Sequence, residues 1–594
     1  MKGDPSIDSV VYTNKARCRD CFRCVRVCPV KAIRMRDGQA FVVGGECLSC
    51  GTCIRECPQG AKSYRNDIDR VAALVGQPGL TAISVAPSFA AVFTDWERRR
   101  LPSVLRRLGF GYVAETAVGA YPVAVATAEW AAARPGETHV ATACPAVVRY
   151  VERYRPDLTG RLVALASPMV AHARHLKDKL GAQTRVVFLG PCVAKKMEAD
   201  RPAIREVVDA VLTFQELKDW MERAGLKLGA CEESDFDEYP EGAARVFPLA
   251  GGSLRTGALS SDLLSAEVIS VSGFDEIREA LDGIEPGRSL VIEPLFCRQG
   301  CINGPAMPDG KNLFQRREAL LKYAANPPAQ TAARATAGTP PDLRVSFCGE
   351  PDDAASHPAE ADILRELERT GKARAEDQLN CGTCGYPSCR EKAVAVLRGM
   401  AEPEMCLPFM RRRAEQRTDR IMETSPNGIV ILDERLNIIS MNPAFRRYFM
   451  CSEAVCGRRI SYLMDPDAFE KMAAGETDIA ETVARHDKYN LVCHQILYAL
   501  REERQYVGIF VNITHSRASQ EQLSKLRAQT LIQAQELLDH QLAMAQKVTQ
   551  FLGESAAQGE VLVEHLRQLA TDEDSRGGGR EDKQWLRDMY TSKR

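Results

Sequence analysis

The apolar pattern changes several times along the chain. Up to about residue 324 it consists of short apolar runs bounded by Gly, Pro or charge, of which THVATA, RVVFL and SLVIEPLF are the clearest. Runs of this length read as buried strands, and each is followed by a loop with Pro or Gly close by. Residues 325–344, ANPPAQTAARATAGTPPDLR, have no apolar period and read as a flexible linker. From about 415 a new pattern begins. IMETSPNGIVILDERLNIISMNPAFRRYF predicts a short helix, a strand, an Asp-Glu turn, a second strand and then helical spacing. KYNLVCHQILYALREERQYVGIFVNIT alternates as two or three strands. Over 516–570, Leu523, Leu526, Leu537, Met544, Val548 and Phe551 recur near a seven-residue spacing, with no Pro. That predicts a long helix, either a parallel coiled coil or a solvated helix packed on the domain before it.

Composition narrows the field. A chain of 594 residues implies several domains. Lys plus Arg is 78 against 79 for Asp plus Glu, which gives no electrostatic case for nucleic acid or an anionic membrane as the partner. No apolar run approaches the ~18 residues of a membrane span. The first residues, MKGDPSIDSVVYTNKARC, lack a signal-peptide core, so a cytoplasmic protein is expected. Apolar residues at 45% and charged at 26% exclude wholesale disorder. The unusual count is 21 cysteines. Without an export signal a disulfide framework explains them poorly, whereas reduced thiols are good ligands for soft metals.

The cysteines form three sets. Cys18, Cys21, Cys24 and Cys28 follow C-x2-C-x2-C-x3-C with Pro29 next, and Cys47, Cys50, Cys53 and Cys57 repeat it with Pro58 next. In this ferredoxin run the fourth cysteine of each half serves the other cluster. The expected ligand sets are therefore Cys18, Cys21, Cys24 and Cys57 for one 4Fe-4S cluster, and Cys47, Cys50, Cys53 and Cys28 for the other. Zinc is the weaker alternative. Residues 12–66, including the AIRMRDGQAFVV hairpin, resemble the two-cluster ferredoxin domain.

The second set, Cys144, Cys192, Cys297 and Cys301, is spread over ATACPAVVRYVERYRPDL, FLGPCVAKKMEAD and EPLFCRQGCINGP. Isolated cysteines are ordinarily small buried hydrophobes. These, however, sit just past the three strand-like runs, where α/β folds place ligands. Residues of about 80–310 resemble the active-site domain of the Fe-Fe hydrogenases, with the three segments in the order of that family's motifs. AISVAPSFAAVF, LRRLGFGYVAETA, LASPMVAHARHLK and LAGGSLRTG also match. The resemblance implies that the four cysteines hold a 4Fe-4S cube, with Cys301 bridging to a di-iron unit that carries CO, cyanide and a dithiolate amine: an H-cluster-like site with hydrogen as its small-molecule ligand. It further implies that Lys195 contacts a cyanide, that Glu198 completes the same motif and that Ser167 stands in the proton route. Several positions depart from the family. A relay cysteine normally precedes the first ligand, and here that position is Ala143. Val147 replaces an aromatic, Leu295 a methionine, NGPA a glycine run, and the relay glutamates have no clear counterpart, although Glu129 is nearby. Alanine cannot relay a proton, so slow or negligible hydrogen turnover is expected with cluster binding retained.

The third set, Cys381, Cys384, Cys389 and Cys406, has the spacing C-x2-C-x4-C-x16-C. It resembles the small iron-sulfur module of Rnf-type B subunits and corrinoid iron-sulfur proteins, which implies a further 4Fe-4S cluster; zinc is again the alternative. Cys231, Cys348, Cys451, Cys456 and Cys493 have no ligand spacing and read as structural or incidental. Residues 418–515 resemble a PAS domain through N-G-I-V-I-L-D, N-P-A-F and V-N-I-T. Nothing there singles out haem, flavin or another ligand, and His486 and His494 read as surface or packing residues.

The expected fold is multidomain α+β and α/β. Its parts are a two-cluster ferredoxin-like domain over 1–75, the α/β hydrogenase-like domain over 76–324, a linker over 325–345 and the four-cysteine module over 346–412. A PAS domain over 415–515, the long helix over 516–572 and a polar tail over 573–594 follow. That order suggests redox input first and signalling last: a sensory or regulatory hydrogenase-like protein. Its expected partners are an electron donor or acceptor protein and a downstream kinase or phosphatase, with a homodimer formed through the PAS domain and helix. A catalytic hydrogenase and an electron-transfer scaffold lacking the di-iron unit are the alternatives.

Overall fold

The three apolar runs form parallel strands at Thr138–Val140, Arg185–Gly190 and Leu290–Leu295. In this computed structural model they belong to two parallel sheets. One has four strands in the order Tyr112–Glu115, Thr81–Val85, Arg185–Gly190, Ala210–Thr213. The other runs Val268–Ser272, Leu290–Leu295, Thr138–Val140. Thr81–Val85 and Leu290–Leu295 are buried at every position, as continuous apolar strands covered on both faces should be. The helices around them carry legible start signals. Thr94 and Glu97 form a capping box at Asp95–Arg107, and Thr213 and Glu216 form another at Phe214–Arg223. The cysteine-bearing loops follow the C-terminal ends of Thr138–Val140, Arg185–Gly190 and Leu290–Leu295.

The structure describes residues 9–240, 243–259, 267–325, 342–350, 358–514 and 530. Most of the expected linker, the long helix over 516–572 apart from Thr530, and the polar tail over 573–594 lie outside the described residues. The chain divides into two compact units, Met1–Leu407 and Pro408–Arg594.

In the first unit the N-terminal segment is built from two corresponding halves. Val11–Thr13 pairs antiparallel with Lys62–Tyr64, and Ile33–Arg36 forms the expected hairpin with Gln39–Val42. Short helices at Arg23–Val27 and Thr52–Arg55 follow the two C-x2-C turns. Asp20 and Ser49, Phe22 and Gly51, and Lys31 and Gly60 occupy corresponding places, and all six have positive φ, from 52° to 72°. Left-handed residues between extended or helical ones turn successive N–H groups inward, a concave anion-binding arrangement suited to thiolates. Two such donors are seen: Ser49 N donates to Cys47 Sγ at 3.3 Å and Ala61 N to Cys57 Sγ at 3.3 Å.

The stretch at 342–350 packs on the hydrogenase-like domain. Leu343 O accepts from Ala166 N at 2.7 Å, Arg344 bridges Leu165, and Arg149 pairs with Glu350. The linker's last residues thus act as an extra extended strand that satisfies backbone groups beside Ser167.

In the second unit a five-stranded antiparallel sheet has the order Ile438–Met441, Gly428–Leu432, Gln505–Asn512, Leu491–Leu500, Ile479–His486. Its core is formed by Phe445, Phe449, Phe469 and Phe510. His486 packs edge-on to Phe449 at 5.1 Å, and His494 pairs with Glu481 at 2.7 Å, so both act in packing.

Candidate functional site

The ferredoxin-like cysteines gather in the crossed arrangement. The Cys24 thiol is pushed up by burial, is pulled down by Lys62, and is raised again by Cys18, Cys21 and Cys57. Burial together with Cys50 and Cys47 pushes Cys28 up to about 12. Cys53 is raised by burial, Cys50, Cys47 and Cys28. Cys57 therefore stands with the first run and Cys28 with the second. Lys62, 4% exposed and donating to Thr13 Oγ1 at 2.5 Å, acts on Cys24 of one group and on Cys47 and Cys53 of the other.

The middle site is assembled from three strand ends. Cys144 follows Thr138–Val140 and is the N-cap of helix Pro145–Tyr154. Cys192 follows Arg185–Gly190, and Cys297 and Cys301 follow Leu290–Leu295. Burial, Cys192, Cys301 and Cys144 raise the Cys297 thiol well above its ordinary range. Burial and Cys144 push Cys192 up to about 12, against the pull of Lys195. Cys301 is raised by burial, Cys192 and Cys144. Three loops far apart in sequence thus bring four thiols together. The second ferredoxin group borders them, since Cys50 acts on Cys297 and Cys144 acts on Cys50.

Lys195 is 8% exposed and donates to Glu198 Oε2 at 2.6 Å and to the Ala143 carbonyl at 3.4 Å. All three residues therefore sit beside Cys192 and Cys301. Ser167 caps helix Pro168–Leu180 and is 3% exposed, and its Oγ has no hydrogen-bond partner among the described residues. Glu129 is exposed on helix Ala117–Ala132 and takes no part.

One acidic residue escaped the sequence reading. Glu293 lies within Leu290–Leu295 at 2% exposure, accepts from Ser253 N at 2.8 Å and leaves Oε2 without a partner. Burial pushes its carboxyl up to about 7, and it acts on Cys301. The available signal was a lone charge inside the apolar run SLVIEPLF.

In the third set Cys384 is raised by burial and by Cys406 and Cys381, while Lys392 pulls it down. Cys389 starts helix Cys389–Leu397, and Ser388 caps that helix by accepting from Glu391 N at 3.0 Å. Of the remaining cysteines, Cys231 and Cys493 are buried packing residues.

The donor chemistry suits iron-sulfur clusters. Ionising several neighbouring buried thiols is costly unless a cationic core lies between them. Among the described residues no three of His, Cys, Asp or Glu converge tightly enough to hold a single ion. Thiolates around one zinc stand at about 2.3 Å from it, whereas those around a cube are spread further apart. The mutually interacting thiols fit a shared multi-iron core.

A fold of this kind with these thiol groups defines an iron-sulfur redox protein. Comparison with known proteins sharpens the class. Residues 80–305 match the family model of the iron only hydrogenase large subunit, C-terminal domain, and residues 10–58 that of a 4Fe-4S dicluster domain. Residues 377–408 match an Fe-S cluster family and residues 416–482 a PAS domain. Iron hydrogenase 1 of Clostridium pasteurianum is 27% identical over 308 residues, covering 42% of this chain and 54% of that protein. The NADP-reducing hydrogenase subunit HndD of Solidesulfovibrio fructosivorans is 24% identical over 405 residues, covering 57% and 64%. The matches thus span little more than half the length of these relatives. A solved FeFe-hydrogenase from Chlamydomonas reinhardtii aligns at 17% identity over 48% of this chain and 99% of its own, with a TM-score of 0.37. This chain is an Fe-Fe hydrogenase-like iron-sulfur protein that also carries a PAS domain. No helix among the described residues is long and apolar enough to cross a membrane.

Proposed function

We propose that this protein is a sensory or regulatory member of the hydrogenase-like proteins, one that reads hydrogen or redox state and signals through its PAS domain. In this reading Cys144, Cys192, Cys297 and Cys301 would hold a 4Fe-4S cube, and Cys301 would also hold a di-iron unit. That unit, when bound, supplies the hydrogen-binding centre. The two ferredoxin groups and the 381/384/389/406 set each hold a 4Fe-4S cluster, so that electrons can enter and leave. Lys195 presents its ammonium to an anionic ligand of the di-iron unit, with Glu198 fixing the side chain at 2.6 Å.

The observation that carries the regulatory reading is Ala143. The thiols stay together, but the position that would hand a proton to the reacting centre ends in a methyl group, and among the described residues Ser167 Oγ has no hydrogen-bond partner. A general acid or base in reach contributes typically 10²–10⁴-fold to rate, so its absence would slow turnover by that order while leaving binding intact. The Lys195–Glu198 pair, kept beside the thiols, favours catalytic hydrogen chemistry as the second reading.

Infrared spectroscopy of protein matured with a di-iron source is the decisive experiment. Bands of CO and cyanide are expected, together with hydrogen turnover far below that of a catalytic hydrogenase. Their absence would leave only an electron-transferring scaffold. Turnover at catalytic rates would establish the second reading. Signalling is tested by hydrogen exchange of the 408–514 amides under hydrogen and under argon, where no difference rejects the sensor.

A further inference from the structure

The four-cysteine segment does not stand apart from the ferredoxin-like domain. Gly385 has φ 97°, and a Cβ there would meet Val25 Cγ1 at 2.9 Å and Arg26 N at 3.1 Å. Its backbone thus lies directly on helix Arg23–Val27, the helix that leads into Cys28. Arg26 Nη2 donates to the Thr383 carbonyl at 3.3 Å, Met35 N to the Met400 carbonyl at 2.9 Å, and Asp37 N to Glu402 Oε1 at 2.7 Å. The contact is therefore pinned along the whole module.

Between these pins lies a dry core. Tyr386, 4% exposed, shares one apolar cluster with Val25, Met35 and Met400, and Cys28 and Cys384 both pack against that cluster. Tyr386 thus lies in the core against which a cysteine of each set packs. Lys31 donates to the Val25 and Arg26 carbonyls at 3.1 Å each and feels Cys28 and Cys384 alike. On the other flank of the same ferredoxin group, Cys50 packs with Cys144 and Cys192 against a second apolar cluster.

We propose that this face is an electron-transfer contact, in which Gly385 and Tyr386, seated on Val25 and Arg26 beside Lys31, hold the 381/384/389/406 set against the Cys28 side of the ferredoxin-like domain. The set of Cys28, Cys47, Cys50 and Cys53 is then a junction, with the hydrogenase-like site on one side and the four-cysteine set on the other. The inference rests on reading these sets as cluster sites. One electron leaves the centre held at the junction, which is oxidised by one unit, and enters the centre held by the four-cysteine set, which is reduced by one. No bond forms or breaks and no proton is required. The electron comes from hydrogen or from a low-potential electron-donor protein. Close packing serves this transfer by excluding water and fixing the separation, and Gly385 permits the approach because no side chain intervenes.

The test uses the full chain, anaerobically reconstituted, with iron and zinc counted and then reduced with dithionite. Electron paramagnetic resonance should show the four-cysteine centre split and fast-relaxing through a neighbouring reduced centre. Cys389→Ser should sharpen the signal of one ferredoxin centre and leave the other unchanged. Gly385→Leu, which wedges the face open, should abolish the splitting at unchanged iron content, and Tyr386→Ala should narrow it. A magnetically isolated four-cysteine signal in the wild type at full iron content overturns the junction alone. Splitting that survives Gly385→Leu does the same. Zinc at the four-cysteine set overturns the cluster assignment, and the junction with it.

Discussion

Lys196 offers a quantitative test of how the middle site is held. It adjoins Lys195 on helix Ala194–Ala199, yet it points away from the thiols and is 0% exposed. Its ammonium donates to Asp67 Oδ2 at 2.8 Å, the Val211 carbonyl at 2.7 Å and Glu216 Oε1 at 2.9 Å. Asp67 belongs to the N-terminal segment, so this one cation ties the ferredoxin-like part to the loop that carries Cys192. In Lys196→Met the stem is replaced and the charge lost. Removing one member of a buried ion group typically costs 3–5 kcal/mol because the partner charges remain. Here the lower end applies. Asp67 keeps Arg65 at 2.9 Å, and Glu216 keeps the backbone donors Asp67 N and Thr213 N at 2.7 Å each. The expected loss is about 3 kcal/mol. For a unit ending at Leu407 the melting temperature should fall by roughly 3–6 °C, scaling the usual size dependence.

The assay is anaerobic thermal unfolding of the full chain, followed by far-ultraviolet circular dichroism and visible cluster absorbance at a fixed scan rate. Lys196→Met combined with Glu216→Gln should recover about 1–2 kcal/mol of the loss, since the second change removes a stranded charge. A drop below about 1 °C for Lys196→Met at unchanged iron content would refute the reasoning. So would strict additivity of the pair, because the triad could not then be acting as a unit.

Three further outcomes are expected. Ala143→Cys should raise hydrogen oxidation in the matured protein by about 10²-fold or more, read with a dye acceptor; no rise would remove the relay as the missing part. Burial pushes the His172 imidazole down to about 3, so it stays neutral in the fold while the unfolded chain takes up a proton near pH 6.5. Its stabilising contribution is complete above pH 6.5 and is lost as the pH falls from there towards 3, about 1 kcal/mol of it between pH 7.5 and 5.5. His172→Gln, which can still pair with Ser84, should flatten that part of the stability-pH profile; an unchanged slope would assign it elsewhere. In the second unit Asn442 accepts from Ile429 N at 2.8 Å and Phe445 N at 2.9 Å and donates to the Asn427 and Met422 carbonyls. Asn442→Ala should cost about 2–4 kcal/mol and speed hydrogen exchange across Gly428–Leu432; unaltered protection would count against it.

Local signals were the legible ones. The ferredoxin groups could be written down from spacing because each C-x2-C turn acts within a few residues. The middle site was legible because three apolar runs end in thiol-bearing loops, and a parallel sheet gathers strand ends on one side. What stayed hidden depends on contacts across long separations. Arg26 and Thr383 are 357 residues apart, and nothing in either segment announces the other. Lys196 carries no sequence signal that sets it apart from its neighbour, and only the fold turns it inward onto Asp67 and Glu216. Glu293 was hidden for the opposite reason: a carboxylate in a buried strand looks like an interruption until its Ser253 partner appears.

The two halves of hydrogen chemistry are supported unequally here, and that asymmetry favours a sensor over a catalyst. On the electron side the thiol groups adjoin through shared apolar packing: Cys50, Cys144 and Cys192 pack on one cluster, and Cys28 and Cys384 on another. Nothing polar has to move for charge to pass. On the proton side Ala143 has no exchangeable group, and Glu129 faces solvent. Ser167 Oγ is unpartnered, and Glu293 spends one oxygen on a backbone amide. A catalyst needs both sides in every turnover, since each hydrogen consumed releases protons as well as electrons. On the proposed sensor reading the protein has only to shift a redox or binding equilibrium once and hold it, so slow release of the accompanying protons suffices. On that reading, slow proton exchange lengthens the lifetime of the reduced state, which gives a signalling partner time to respond.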